Sequence, residues 1–79
     1  MKIKISTYGI IREVLPVTKW ECNNNNSVPL GKVVEEIKEK YPDLSKYKFV
    51  TAVNNVISES GEKLSEGDEI TFIPPFAGG

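Results

Sequence analysis

The chain closes with the stretch Leu64-Ser-Glu-Gly-Asp-Glu-Ile-Thr-Phe-Ile-Pro-Pro-Phe-Ala-Gly-Gly79, which decides both the fold and the candidate site. Five residues of strongly β-forming character, Glu69–Ile73, predict a strand. Two prolines follow, and they cannot continue a hydrogen-bonded ladder. Six extended residues, Pro74–Gly79, span roughly 20 Å, and the two terminal glycines cannot add to a core. The stretch therefore predicts a last strand that continues as a stiff tail, thin enough to enter a narrow tunnel in another protein.

Two further strands are predicted at the start of the chain. Residues 2–8 alternate polar and apolar side chains, with Ile3 and Ile5 facing inward. Residues 17–22 alternate again after Pro16, and we expect them to pair with the first strand as an antiparallel hairpin. The first and last strands are both rich in apolar residues, so we expect them side by side in the centre of the sheet.

One amphipathic helix is predicted in the middle of the chain. Its apolar stripe has helical spacing and consists of Leu30, Val33, Val34, Ile37 and Tyr41, and Pro42 ends it. A strand over residues 49–53, a turn at Asn54-Asn55, a short return strand at Val56-Ile57 and a loop over residues 58–67 follow. This order predicts an α+β roll, a mixed sheet packed against one main helix, as a single domain 1–79 with an extended tail 74–79.

The composition excludes several classes of function. The 79 residues carry 10 Lys and Arg against 11 Asp and Glu, a net charge of −1, so the chain has no basic excess suited to nucleic acid. There is no His and one Cys, which removes the commonest general base, paired-Cys metal sites and any internal disulfide. No apolar run is long enough for a transmembrane helix, and the N-terminus does not resemble a signal peptide. We expect a cytoplasmic protein that binds neither metal, nucleic acid nor membrane.

The side chains offer no convincing catalytic group. Asp68 and Glu69 are adjacent, so on a strand they point to opposite faces, and the turn before them explains Asp68 structurally. A nucleophilic Cys22 would need a base or a cationic neighbour, and the chain has no His to supply one, so a small half-buried hydrophobe is the simpler interpretation. The glycines fit neither GxGxxG nor a P-loop.

The ending quoted above resembles the C-terminal signature of the MoaD family, the small subunits of molybdopterin synthase. Its most specific part is the pattern Leu-x-x-Gly-Asp-Glu followed by Pro-Pro and the final Gly-Gly. Three further stretches are similar to the family: residues 8–13, the helix over residues 30–42, and the strand and turn over residues 52–55. The resemblance covers most of the chain.

The resemblance implies a ubiquitin-like β-grasp fold and a non-catalytic sulfur carrier, the sulfur-donating subunit of a sulfurtransferase. An E1-like adenylating enzyme of the MoeB type would use ATP to adenylate the carboxylate of Gly79, and sulfur would then replace the adenylate to leave a thiocarboxylate. The tail would enter a MoaE-like large subunit and donate sulfur to the cyclic pyranopterin precursor of the molybdenum or tungsten cofactor. The chain itself would bind no cofactor. The residues implied to contact the partners are Tyr8, Ile57, Ile73, Pro74, Pro75, Phe76, Ala77 and Gly78.

Other interpretations stay open at this point. A sulfur carrier for thiamine synthesis or tRNA thiolation would end in the same glycines, and so would a ubiquitin-like modifier that joins Gly79 to target lysines. A plain binding module with an inert tail is a third alternative. For Ile57 and Ile73, the residues alone do not separate a docking patch from a core position.

Overall fold

The computed structural model describes residues 1–22 and 27–74, so the asparagine run 23–26 and the tail from residue 75 onward lie outside the described residues. In the described parts the elements are β1 (Lys2–Thr7), α1 (Ile10–Val14), β2 (Lys19–Glu21), β3 (Val28–Pro29), α2 (Leu30–Lys40), a 3-10 helix (Pro42–Lys46), β4 (Val50–Val53), β5 (Val56–Ile57), β6 (Lys63–Leu64) and β7 (Glu69–Ile73). None of these helices is long and apolar enough to cross a membrane.

Five strands form one mixed sheet in the order β2-β1-β7-β4-β5. The parallel pair of β1 and β7 lies in the centre, with Thr7 opposite Phe72, and this confirms the predicted position of the first and last strands. The predicted hairpin is also confirmed, because β2 pairs antiparallel with β1. On the other side, β4 pairs antiparallel with β7 and places Val50 opposite Ile73.

Helix α2 covers one face of this sheet. Its stripe residues Leu30, Val33 and Ile37 are buried, whereas Val34 and Tyr41 are half-buried. The sheet contributes alternate residues to the same core because successive side chains on a strand point to opposite faces. The buried core side chains of the sheet are Ile3, Ile5, Val53, Ile70 and Phe72. A mixed sheet on one main helix confirms the predicted α+β class.

Four short elements were absent from the sequence prediction, namely α1, β3, β6 and the 3-10 helix over Pro42–Lys46. Helix α1 follows Gly9, whose φ of 58° turns the chain out of β1, and it buries Ile11. Strands β3 and β6 form a separate two-stranded sheet that pairs Val28 with Leu64, and β6 lies within residues 58–67, which were predicted as a loop. All four are too short to show a helical or alternating period, and each forms where it buries one apolar side chain, namely Ile11, Val28, Leu44 or Leu64.

The start of α2 is held by the segment that leads to β6. The backbone N–H groups of Leu30 and Gly31 donate to the carbonyl oxygens of Glu62 and Ser60 at 2.7 and 2.8 Å, respectively. A Cβ on Gly31 would lie 2.9 Å from the Ser60 Cβ and 3.3 Å from its carbonyl oxygen. Only glycine therefore allows this backbone approach, which satisfies two N–H groups that a helix start leaves without intrahelical partners.

Candidate partner-docking surface at the base of the tail

The last described residues leave the sheet at its centre. Ile73 ends β7, with β1 on one side and Val50 of β4 directly opposite on the other. Pro74 follows and is half-buried. Any segment that continues beyond Pro74 therefore starts from the middle of the sheet edge, surrounded by side chains of the neighbouring strands.

Four large apolar side chains surround this exit on the sheet face that α2 does not cover. Phe72 points into the core, so the next residue, Ile73, points to the opposite face. Val50 lies on the same face because it is the cross-strand partner of Ile73. Ala52 pairs with Thr71 on one side and with Ile57 on the other, and this places Ile57 on that face as well. Thr7 is buried opposite Phe72, so the next residue, Tyr8, lies on the same face as Ile73. We call Tyr8, Val50, Ile57 and Ile73 the tail-base patch.

The patch exposes more apolar surface than isolated surface residues would. Tyr8, Val50 and Ile57 are 52%, 48% and 65% exposed, and Ile73 is half-buried. Between them lie Ala52 and Thr71, whose small side chains are almost completely covered. Contiguous exposed apolar side chains on a small domain typically mark a surface that another molecule covers.

The geometry beside the exit is fixed by the turn from β1 into α1. Gly9 lies close to Pro74, since a Cβ on Gly9 would be 3.7 Å from the Pro74 Cγ. The Arg12 Nη2 donates to the carbonyl oxygen of Thr7 at 3.4 Å, and the N–H of Arg12 donates to the carbonyl of Gly9 at 3.1 Å. These contacts hold the end of β1, and with it Tyr8, next to the base of the tail.

A second network holds the other end of β7. The Asp68 carboxylate accepts from the Ser65 N–H at 2.8 Å and from the Asn54 Nδ2 at 3.1 Å, while the Asn54 Oδ1 accepts from the Glu69 N–H at 3.1 Å. Asn54 and Asn55 have φ values of 50° and 70°, which confirms the predicted turn between β4 and β5. The Asp68 carboxylate is thus structural, and the Asn54-Asn55 turn carries Ile57 onto the patch.

The predicted contact residues fall into two groups. Tyr8, Ile57, Ile73 and Pro74 are described, and the structure brings them together at the tail base; Ile57 is exposed and does not belong to the core. The other predicted site residues, Pro75, Phe76, Ala77, Gly78 and Gly79, lie outside the described residues. Val50 was missed, because its place beside Ile73 depends on the strand register and no single-strand pattern reports it.

The described side chains offer little acid–base or nucleophilic chemistry. Cys22 is only 4% exposed, and burial raises the pKa of its thiol above the ordinary value, with a smaller contribution from the Glu36 carboxylate. A thiol held in its protonated form is a poor nucleophile. In residues 1–22 and 27–74, no cluster of three or more His, Cys, Asp or Glu side chains is arranged to hold a metal ion.

Comparison with known proteins assigns this arrangement to a family. The profile of the ThiS family matches residues 7–79. The molybdopterin synthase sulfur carrier subunit of Mycobacterium tuberculosis is 33% identical over 82 aligned residues, which cover 100% of this chain and 99% of that protein.

Two solved structures share the fold. SAMP1, small archaeal modifier protein 1, of Haloferax volcanii superposes with a TM-score of 0.80 at 17% identity and full coverage of both chains. A chain in the complex of subunits 1 and 2 of the molybdopterin-converting factor of Helicobacter pylori superposes with a TM-score of 0.69 at 22% identity, again with full coverage of both chains. The ubiquitin-like β-grasp fold is thereby confirmed, and the chain belongs to the ThiS family of sulfur carriers, together with the sulfur carrier subunits of molybdopterin synthase.

Proposed function

We propose that this protein is the sulfur carrier subunit of a molybdopterin synthase and that the carboxylate of Gly79 is its reacting group. The observation that carries the proposal is the position of the tail base. Pro74 leaves the sheet between exposed apolar side chains of the tail-base patch, so a partner that covers the patch also receives the tail. The full-length similarity to a named sulfur carrier subunit supports the same function.

The first proposed step activates the tail in an E1-like adenylating enzyme. A carboxylate is a poor electrophile, and it becomes reactive as a mixed anhydride with a phosphate. The Gly79 carboxylate attacks the α-phosphorus of ATP and releases pyrophosphate. Hydrosulfide supplied by the partner then attacks the acyl carbon, AMP leaves, and loss of the sulfur-bound proton to solvent leaves a thiocarboxylate. The ATP belongs to the partner, and the carrier contributes an unhindered terminus on a slender Ala-Gly-Gly stem.

The second proposed step is sulfur donation in a large subunit. The related H. pylori chain is found in a complex of subunits 1 and 2 of the molybdopterin-converting factor, which supports a large-subunit partner here. That partner buries the tail-base patch, positions the thiocarboxylate against the cyclic pyranopterin precursor and supplies the acid, base and oxyanion stabilisation that the described side chains lack. Two transfers complete the dithiolene of molybdopterin.

A cytoplasmic location is part of this proposal. The pathway needs ATP, and the unpaired Cys22 suits a reducing compartment, where thiols persist.

Reconstitution tests the function directly. The thiocarboxylated carrier is mixed with the large subunit of molybdopterin synthase and the cyclic pyranopterin precursor, and the dithiolene product is quantified together with the mass of the spent carrier. We expect about two carriers to return to the carboxylate form for each product molecule, following the two transfers. A matched control carries a non-cleavable extension beyond Gly79, which leaves the patch intact and blocks the terminus. Product formation by the extended carrier would contradict the proposal.

A protein modifier is the second candidate, because SAMP1, a small archaeal modifier protein, has the higher TM-score of the two solved structures compared above. In that function the activated Gly79 acyl group is attacked by a lysine amine of a target protein, and an isopeptide bond forms. Isopeptide-linked Gly79 remnants in a tryptic digest of cells that express the protein would favour this function. Sulfur carriers for thiamine or tRNA thiolation are distinguished by the acceptor to which the thiocarboxylate sulfur moves.

A further inference from the structure

The outer edge of β2 is the feature that the proposed function does not use. Strand β2 pairs with β1 on one side only and is the last strand of the five-stranded sheet on that side. Its centre, Trp20, is half-buried against the end of α2, with the Tyr41 ring 6.4 Å away and the Lys40 ammonium 5.8 Å from the indole centroid. Lys19 and Glu21, on either side of Trp20, are exposed.

The hydrogen bonds between β1 and β2 show which backbone groups remain at this edge. The Ile5 N–H donates to the carbonyl oxygen of Thr18 at 2.8 Å. The Cys22 N–H donates to the carbonyl oxygen of Met1 at 2.8 Å, and the amino group of Met1 donates to the carbonyl oxygen of Cys22 at 3.1 Å. In an antiparallel ladder, hydrogen-bonded residue pairs alternate with pairs whose backbone N–H and C=O groups point away from the partner strand. Thr18, Trp20 and Cys22 therefore bond inward to β1, whereas the N–H and C=O groups of Lys19 and Glu21 point outward, where no described strand pairs with them.

The charged side chains of this edge are arranged so that they complement the same edge of a second copy of the chain. When two copies of β2 run antiparallel about a two-fold axis at Trp20, each Lys19 lies opposite Glu21 of the other copy. That register also matches the backbone, because Lys19 and Glu21 are the residues with outward N–H and C=O groups. Four backbone hydrogen bonds and two cross-strand ion pairs form together. Registers centred on Lys19 or Glu21 would place like charges opposite each other.

The cross-strand neighbour of Lys19 within the chain also favours an acidic partner on its other side. Within the chain, Lys19 lies opposite Lys4, a like-charge pair that is unfavourable on a sheet. A carboxylate from a second copy would flank Lys19 on its other side. The same pairing covers a shallow hollow of about 260 Å³ between β2 and α2, lined by Val17, Trp20 and Tyr41 together with Lys19, Glu21 and Lys40.

We propose that two copies of this chain associate edge to edge through β2, in an antiparallel register centred on Trp20, to form a continuous ten-stranded sheet. Four backbone hydrogen bonds and two exposed ion pairs at a three-residue edge strand make a small interface, so we expect a weak dimer, with a dissociation constant between about 10 μM and 1 mM. The tail-base patch extends from the end of β1 towards the opposite sheet edge at β5, so pairing through the outer edge of β2 leaves the patch of each copy exposed. This proposal therefore stands or falls independently of sulfur transfer.

Dilution experiments on the unmodified chain give the first test. Sedimentation equilibrium and amide NMR spectra are recorded up to about 1 mM protein. We expect a monomer–dimer equilibrium, and concentration-dependent shifts of the Lys19 and Glu21 amide signals that exceed those of Thr18 and Cys22. A monomer throughout this range, or shifts centred on Tyr8 and Ile57 instead, would overturn the proposal.

Charge variants give the second test. Lys19→Glu and Glu21→Lys each place two like-charge pairs across the interface and should weaken the dimer by roughly tenfold or more. The double variant with both changes restores opposite charges and should return the dissociation constant to within about threefold of the original. Lys32→Glu, an exposed site in the first turn of α2, is the control with the same change in net charge as Lys19→Glu, and it should leave the dissociation constant almost unchanged. A double variant that is as weak as the single variants would refute this register.

Discussion

The exposed side chain of Ile57 provides the sharpest test of the tail-base patch. Burying an isoleucine side chain completely contributes about 1.5–3 kcal/mol, and 65% of Ile57 is still exposed in this chain. A partner that covers it therefore gains about 1–2 kcal/mol from this residue. Ile57→Ala removes three of the four side-chain carbons and with them about 0.8–1.5 kcal/mol of this gain, so we expect the dissociation constant for the large subunit of molybdopterin synthase to rise by roughly 4- to 12-fold. The part already covered in the free protein is small, and the free energy of unfolding should fall by less than about 1 kcal/mol.

Val56 is a matched control on the same strand. It is also 65% exposed, but it pairs with the buried Val53 and points to the other face of the sheet. Val56→Ala should change the dissociation constant less than about twofold while affecting stability as little as Ile57→Ala does. Isothermal titration calorimetry gives the affinities, and urea denaturation gives the stabilities. Equal losses of affinity in the two variants, or none in Ile57→Ala, would show that this sheet face does not dock the partner.

Three further predictions concern the framework that positions the site. Asp68→Ala removes the acceptor of the Ser65 and Asn54 donors, and we expect urea denaturation to show a loss of about 1–2 kcal/mol; an unchanged midpoint would contradict this role. Gly31→Ala should lower the melting temperature despite the better helix propensity of alanine, because the added Cβ meets Ser60 at 2.9 Å; a higher melting temperature would show that the loop yields without cost. The raised pKa of Cys22 means that its contribution to stability is complete below the ordinary thiol pKa of 9.0 and decreases as the pH rises above it. The free energy of unfolding should therefore fall more steeply above that pH in the original chain than in Cys22→Ala, and parallel pH profiles would refute the assignment.

The long periodic elements of this fold were predictable from the sequence. The stripe from Leu30 to Ile37 and the alternation of Ile3 and Ile5 both repeat often enough to give a clear period, and both are buried as expected. Asn54 and Asn55 were recognisable as a turn because asparagine tolerates positive φ. These are local properties, and local sequence reports them.

The elements that were missed depend on contacts between distant residues. Helix α1 has only five residues, and its formation follows from the burial of Ile11 and the turn at Gly9. Strand β6 exists because Leu64 reaches Val28 across the chain. Val50 joins the tail-base patch only through its register with Ile73. No pattern within a single segment carries this information.

The tail motif was predictable for a different reason. Its function depends on the absence of side chains at Gly78 and Gly79, which the sequence states directly. What the structure adds is the setting of the tail base, since the sequence alone left Ile57 and Ile73 undecided between core and surface. The exposure of Ile57 resolves that choice for one of them, and the half-buried Ile73 joins the two sides of the patch.

The mass of the carrier after activation tests the central claim most directly. The protein is incubated with its E1-like adenylating enzyme, ATP and a sulfur donor, and intact and C-terminal peptide masses are measured. We predict a mass increase that matches the replacement of one oxygen by sulfur, located at Gly79, and no increase without ATP or after deletion of Gly79. An unchanged mass with an adenylating enzyme that charges a related carrier in the same assay would contradict the account, and so would a sulfur adduct located on Cys22.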